Sequence, residues 1–286
     1  MKTIKPLPEG VRHSMRSGII MFDMARVVEE LVFNSLDAGA TKVSIFVGFF
    51  TCSIKVVDDG SGVSRDDLVL LGERYATSKF HEFSNEETAS ESFGFRGEAL
   101  ASISDISLLE ITTKAIGRPN GYRKVMKGSK CLHLGIDDGR RDSGTTVTVR
   151  DLFYNQPVRQ KYMKSSPKKV LDSITKCVFR IALVHSNVSF SVLDVESDEE
   201  LIQINPSSSA FSLLMRDAGT EASNSLSKVN VTDGMLNVSG YISGPGDSFK
   251  ALQYIYINSR FVSKGPIHKL LNNLAASFEC KDDWRP

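Results

Sequence analysis

Hydrophobic positions between Ser17 and Ala40 recur at helical spacing. Met24, Val27, Val28, Leu31, Val32 and Leu36 fall on one side, and Gly39 supplies a stop, so the segment reads as one helix. The pattern then changes to alternation. Lys42 to Phe49 and Ser53 to Val57 read as two strands, and Asp58-Asp59-Gly60-Ser61-Gly62 closes the second with a tight turn. Ser64 with Asp67 resembles a capping box opening a short helix that reaches Leu71. Ser78 to Ser92 shows almost no apolar period and reads as a mobile loop; a helix starts at Gly97. Strands are expected near Leu108 to Thr113, Tyr122 to Met126, Lys130 to Ile136 and Thr145 to Val149. Pro167 opens a helix to about His185, followed by a strand from Ser189 to Val195. The acidic stretch from Glu196 to Ser209 reads as a domain junction, dividing the chain into 1–205 and 206–286. Beyond it, Ala210 to Ala218 reads as helix, Leu236 to Ile242 and Gln253 to Ile257 as strands, and Ile267 to Phe278 as helix.

Composition narrows the class. The chain has 286 residues, 41% hydrophobic and 24% charged, with 35 basic against 34 acidic residues. Overall charge therefore neither favours nor disfavours nucleic acid; only a local basic patch could. Cys52, Cys131, Cys177 and Cys280 lie far apart with no His at ligand spacing, which argues against structural zinc and fits reduced thiols, a cytosolic or nuclear pattern. The run Gly18 to Phe22 is too short for a membrane span or signal core, so no membrane association is expected.

Three constellations carry chemistry. Glu30 and Asn34, four apart, share a helix face with Asp37 alongside. The pair describes a solvated stripe equally well, but it also permits a carboxylate to activate water while an amide oxygen holds Mg²⁺. Asp58 with Gly60 and Gly62 is sufficiently explained as a turn; alternatively, a carboxylate there would accept the N6 amino group of adenine, where guanine offers an O6 acceptor. Gly94-Phe95-Arg96-Gly97 at a helix start is an ordinary helix entry or a phosphate cradle. It is neither a Walker A loop nor a Rossmann fingerprint.

In order, Glu30 to Ala40, Asp58 to Gly62, Ala76-Thr77-Ser78-Lys79, Gly94 to Leu100, Gly144 to Val147 and Asp151 to Arg159 make a series. This series resembles the MutL branch of the family that unites DNA gyrase, Hsp90, histidine kinases and MutL, and it is most similar to the third eukaryotic branch, linked to meiotic recombination. The resemblance implies an α/β (α+β) fold, a two-layer sandwich of mixed sheet and helices. It also implies a second domain like part of ribosomal protein S5, incomplete at its C-terminus. It implies ATP and Mg²⁺ as ligands, with Glu30 as general base, Asn34 on the metal and Asp58 reading adenine. Gly60 and Gly62 shape the pocket, and Thr145 supports the adenine end. Thr77, Ser78 and Lys79 hold phosphates together with Gly94, Phe95, Arg96 and Gly97, beneath a lid that closes on ATP. Partners implied are DNA, contacted at phosphates, and another MutL homologue as heterodimer partner, in the nucleus.

Two departures stand out. Asp59 occupies a position where the family commonly has Asn, which predicts an extra charge near the base pocket. The lysine that the second domain supplies to the γ-phosphate has no visible segment here, nor has the endonuclease region, so impaired hydrolysis and a nucleotide-responsive scaffold form the alternative. For DNA, Arg159 and Lys161 begin a basic run through Lys169 that also fits a solvated helix face, and Asn258-Ser259-Arg260 resembles a segment of the DNA-facing groove. A histidine kinase is disfavoured, because none of the five His sits in a helical dimerisation segment.

Overall fold

The computed structural model describes residues 9–76, 97–128, 130–206, 212–213, 226–234, 236–243, 253–263 and 265–277. The chain divides into two compact units, one of residues 1–182 with 187–206 and the other of 183–186 with 207–286.

The first unit opens with α1 (Glu9–Ile20) and α2 (Met24–Asp37). The single helix expected from Ser17 to Ala40 is thus two. The break has a local cause: Asp23 is extended (φ −149°) and its carboxylate accepts the Arg26 N–H at 2.7 Å, capping a new helix start. Then come β1 (Lys42–Gly48), β2 (Ser53–Asp58), α3 (Arg65–Leu70), α4 (Ala99–Ile106), β3 (Leu108–Lys114), β4 (Tyr122–Lys127), β5 (Lys130–Ile136) and β6 (Gly144–Arg150). They are followed by α5 (Pro157–Ser165), α6 (Pro167–Val184), β7 (Ser189–Asp194) and β8 (Glu199–Ile204). Ser64 caps α3, its hydroxyl accepting from the Asp67 N–H at 3.2 Å and donating to the Asp67 carboxylate at 2.6 Å.

The eight strands form one sheet in the order β5-β4-β3-β6-β2-β1-β7-β8. All neighbours are antiparallel except β1 and β7, which run parallel with Val43 opposite Phe190. The division after residue 206 falls inside the stretch 196–209 read as a junction, but 199–204 form β8, where Ile202 and Ile204 are buried at alternate positions, an alternation masked by Glu199 and Glu200. The core lies between one sheet face and the helices, where Val43, Ile45, Ile54, Val56, Leu109, Ile111 and Val192 are buried together with Val27, Val28 and Leu31 of α2. α2 packs on β1 and β2, and α4 packs on α1, β3 and β4. The opposite face of the sheet is polar, with Glu110 paired to Arg123 at 2.9 Å and Arg150 at 3.4 Å. This is a two-layer α/β sandwich with a mixed sheet, as expected.

One core member is a lysine. Lys124 is 1% exposed, and its ammonium donates to the carbonyls of Leu68, Val69 and Leu71 at 2.9, 2.7 and 2.9 Å. Those are the unsatisfied carbonyls at the end of α3, so a cation there answers both their hydrogen-bond demand and the negative end of the helix. Lys124→Met keeps the bulk but orphans the carbonyls. It is expected to cost about 2–4 kcal/mol in urea unfolding, and a loss below the measurement error would exclude this role.

In the second unit, β9 (Leu226–Asp233) and β10 (Leu236–Ser243) form a hairpin, and β11 (Tyr256–Ile257) pairs with β12 (Arg260–Phe261). The strand expected over Gln253 to Ile257 is only its last two residues. The helix expected from Ile267 is α7 (Pro266–Ser277). Of the helix expected over 210–218, only 212–213 lie among the described residues. Among the described residues no helix is long and apolar enough to cross a membrane.

Candidate active site

α2 and the end of β2 build the centre of the site. Ser35, buried on α2 one residue after Asn34, donates its hydroxyl to Asp58 Oδ2 at 3.0 Å. Asp58 Oδ1 accepts from the Gly60 and Thr145 N–H groups, each at 3.0 Å. The carboxylate is therefore fixed by α2, the turn after β2 and the start of β6, and the residue is only 5% exposed. Burial pushes the carboxyl above its ordinary range, against the opposing pull of the Gly60 N–H, the Ser35 hydroxyl, the Thr145 N–H and the Arg140 guanidinium.

Around Asp58 the backbone comes unusually close. A Cβ on Gly62 (φ +69°) would lie 2.1 Å from the Lys114 carbonyl oxygen, and one on Gly60 would lie 2.9 Å from Ala38 Cβ. Thr113 completes this wall, pairing with the Thr145 hydroxyl at 3.1 Å and accepting the Val63 N–H at 2.9 Å. Arg140 straps the neighbouring loop, donating to the Asp58 carbonyl and, at 2.6 Å, to the Thr146 hydroxyl. The roles of Ser35, Thr113 and Arg140 were missed from sequence. Ser35 alone carries a signal, as a hydroxyl on the apolar side of a helix.

Asp59 does not crowd the pocket as expected. Its carboxylate accepts from the Thr41 N–H and the Lys42 N–H at 2.8 Å and from the Thr41 hydroxyl at 2.5 Å, and these bonds hold its pKa low despite some desolvation. The extra charge is spent on anchoring the start of β1.

Glu30 lies half-buried on α2, ion-paired to Arg26, and Asn34 is half-buried one turn on. Gly97 (φ +60°) stands where a Cβ would meet the Ala76 carbonyl oxygen at 2.5 Å, so the chain before residue 77 touches the chain after residue 96. Helix α4 starts at Ala99, two residues later than expected. Among the described residues no side chain caps it, although Glu98 pairs with Arg16 at 2.8 Å. Thr77, Ser78, Lys79, Gly94, Phe95 and Arg96 lie outside the described residues. Arg159 donates to the Gly18 carbonyl at 2.6 Å and stacks on Phe153 at 5.0 Å, a packing contact. Lys161 is exposed on α5, and Arg260 is exposed on β12 of the second unit. Among the described residues there is no cluster of three His, Cys, Asp or Glu able to cage a metal.

Residues 22–129 match the family described as histidine kinase-, DNA gyrase B- and HSP90-like ATPase. Over all 286 residues the chain is 90% identical to the DNA mismatch repair protein MLH3 of Arabidopsis thaliana, spanning 22% of that protein. It is 33% identical to the DNA mismatch repair protein MutL of Halothermothrix orenii over 96% of this chain and 41% of that protein. The chain belongs to the MutL family. Its residues 22–129 carry an ATPase domain of this type, and the third eukaryotic branch fits its similarity to the Arabidopsis protein. The chain covers about a fifth of its eukaryotic relatives and about two fifths of bacterial MutL proteins. The fold agrees with a solved MutL ATPase domain of Aquifex aeolicus complexed with ADP (TM-score 0.62, 22% identity, 87% of each chain covered).

Proposed function

We propose that this chain binds ATP with Mg²⁺ and hydrolyses it to drive a DNA-repair clamp. The observation that carries the reading is the buried Asp58 carboxylate, fixed by three donors beside α2, in a turn where Gly60 and Gly62 let the backbone close in on Ala38 and Lys114. A carboxylate there accepts the N6 amino protons of adenine and repels the O6 of guanine. Glu30, on the preceding turn of the same helix, takes the proton from the attacking water. Asn34 offers a neutral hard oxygen one turn from Glu30, which suits Mg²⁺ that keeps waters and phosphate oxygens as its other ligands. When bound, the metal supplies charge neutralisation on the phosphates. The open first turn of α4 and Gly97, with Thr77 to Lys79 and Gly94 to Arg96, hold the phosphates.

The remaining roles follow the resemblance. ATP closes a lid over the site and pairs the module with another MutL homologue in the nucleus, where it serves mismatch repair and meiotic recombination. An exposed groove of about 540 Å³ lined by Phe22, Gln156, Pro157, Val158, Arg159 and Tyr162 supports such a contact. Residues 206–286 belong to a second, S5-like domain. Exposed Lys161, Lys164, Lys168 and Lys169 on α5 and α6 of the first unit meet DNA phosphates in a salt-dependent, sequence-independent way, and exposed Arg260 of the second unit offers a contact of the same kind on its own.

Calorimetry with Mg²⁺ tests the reading. ATP is expected to bind about 10- to 100-fold tighter than GTP, with the preference erased in Asp58→Asn and affinity weakened in Asn34→Ala. Equal affinity of the wild type for both nucleotides would refute it. The pH dependence has a definite sign. Protonated Asp58 offers a donor to a donor, so the affinity ratio of wild type to Asp58→Asn falls with pH, beginning above the ordinary aspartate value of 3.8. Fold stability moves oppositely: because burial raises the folded-state pKa, the contribution of Asp58 is full below the unfolded value and is lost as pH rises through the folded one.

A further inference from the structure

A general base needs one carboxylate, yet α2 places two acids against one cation. Arg26 sends Nη1 to the Glu29 carboxylate and Nη2 to Glu30, three and four residues on. The Arg26 backbone is fixed by the Asp23 cap, so the side chain projects from a pinned turn. Arg26, Glu29 and Glu30 are 34%, 25% and 19% exposed, which spares the triad much of the screening that weakens surface pairs.

We propose that Arg26 is a positioning residue that restrains Glu30 as a base, with Glu29 as the counterweight that draws part of the guanidinium away. The inference rests on the ATPase reading of Glu30. A guanidinium against a carboxylate favours its ionised form, so Glu30 takes a proton from water less readily while the pair is closed. Glu29 competes for the same cation and so relaxes that hold. Among the described residues, the groups with an electrostatic effect on Arg26 are Glu29 and Glu30 on its own helix and Cys177 on α6, with Asp23 and Arg180 acting in turn on Cys177. Burial pushes the Cys177 thiol up to about 12, so it stays neutral at working pH and the two carboxylates are left to divide the guanidinium.

The two neighbours therefore act in opposite directions, which a merely structural pair would not do. In steady-state hydrolysis, Arg26→Met is expected to raise kcat about three- to tenfold with KM nearly unchanged, and Glu29→Gln to lower kcat by a similar factor. The double variant should lie nearer Arg26→Met than Glu29→Gln, because without the guanidinium Glu29 is left only its direct like-charge repulsion on Glu30. Slower turnover in both single variants, or no change in either, would overturn the proposal. A second readout needs no nucleotide. In the ¹³C-glutamate-labelled protein, with Glu30→Gln identifying the resonance, the Glu30 titration midpoint should move up in Arg26→Met and down in Glu29→Gln; a fixed midpoint overturns the restraint. If the wild type neither binds nor hydrolyses ATP, the ATPase reading falls, and the carboxyl midpoints alone decide whether Arg26 holds Glu30.

Discussion

Glu30→Ala is expected to leave ATP bound and almost unhydrolysed, with turnover lowered about 10²- to 10⁴-fold. The two functions separate because they rest on different parts of α2. In the proposed reading base recognition rests on Asp58, whose carboxylate takes bonds from the Ser35 hydroxyl and the Gly60 and Thr145 N–H groups. None of these involves Glu30. Removing Glu30 also leaves Arg26 its bond to Glu29, so no charge on the helix is stranded. Nucleotide affinity by calorimetry should stay within about threefold of wild type, under half the tenfold energy step. Single-turnover hydrolysis of bound ATP reports the loss, and equal rates for the two proteins would remove Glu30 from the chemistry.

The second large effect concerns stability rather than chemistry. Asp105→Ala should destabilise the first unit by about 3–5 kcal/mol, because it leaves a buried guanidinium without its counter-charge. Arg74 reaches Asp105 Oδ2 at 2.5 Å and the Ser17 hydroxyl at 3.0 Å, and Ser17 donates to the same carboxylate oxygen at 2.8 Å. With side chains only 10% and 5% exposed, water cannot replace the lost partner. The network joins α1, the segment after α3 and α4, which no backbone ladder connects. In thermal unfolding the midpoint should drop by roughly 10 °C. The double variant Arg74→Met with Asp105→Ala should recover part of that loss, since it removes the stranded charge. A single variant as stable as wild type would show that the pair contributes nothing.

How much of this was legible depends on the distance over which each residue acts. The apolar spacing of Met24, Val27, Val28, Leu31 and Val32 gave α2 directly, and all five are buried. The alternation in 42–49 and 53–57 gave β1 and β2 almost to the residue. The break at Asp23 was hidden because the apolar run before it continues a helical spacing, and only the side-chain cap shows that the helix restarts. β8 was hidden by acids on its exposed positions. The candidate residues stood out as short motifs, but what orients Asp58 did not. Ser35 comes from 23 residues away and Arg140 from 82, and neither spacing has a period to betray it. The anchoring of Asp59 likewise needed three dimensions, since its partners belong to the preceding strand.

The parallel pairing of β1 with β7 sets the order in which the sheet can be completed. β1 ends at Gly48 and its neighbour begins at Ser189, so roughly 140 residues must leave the ribosome before that edge is covered, on the order of 10–30 s at common synthesis rates. During that interval the nascent chain can pair β1 with β2, but it presents the other row of β1 N–H and C=O groups, flanked by Val43, Ile45 and Val47, as an open template for other strands. Chaperone occupancy of young chains is therefore expected to concentrate between the emergence of β2 and that of β7, and to end once residues 189–194 lock the half-built sheet.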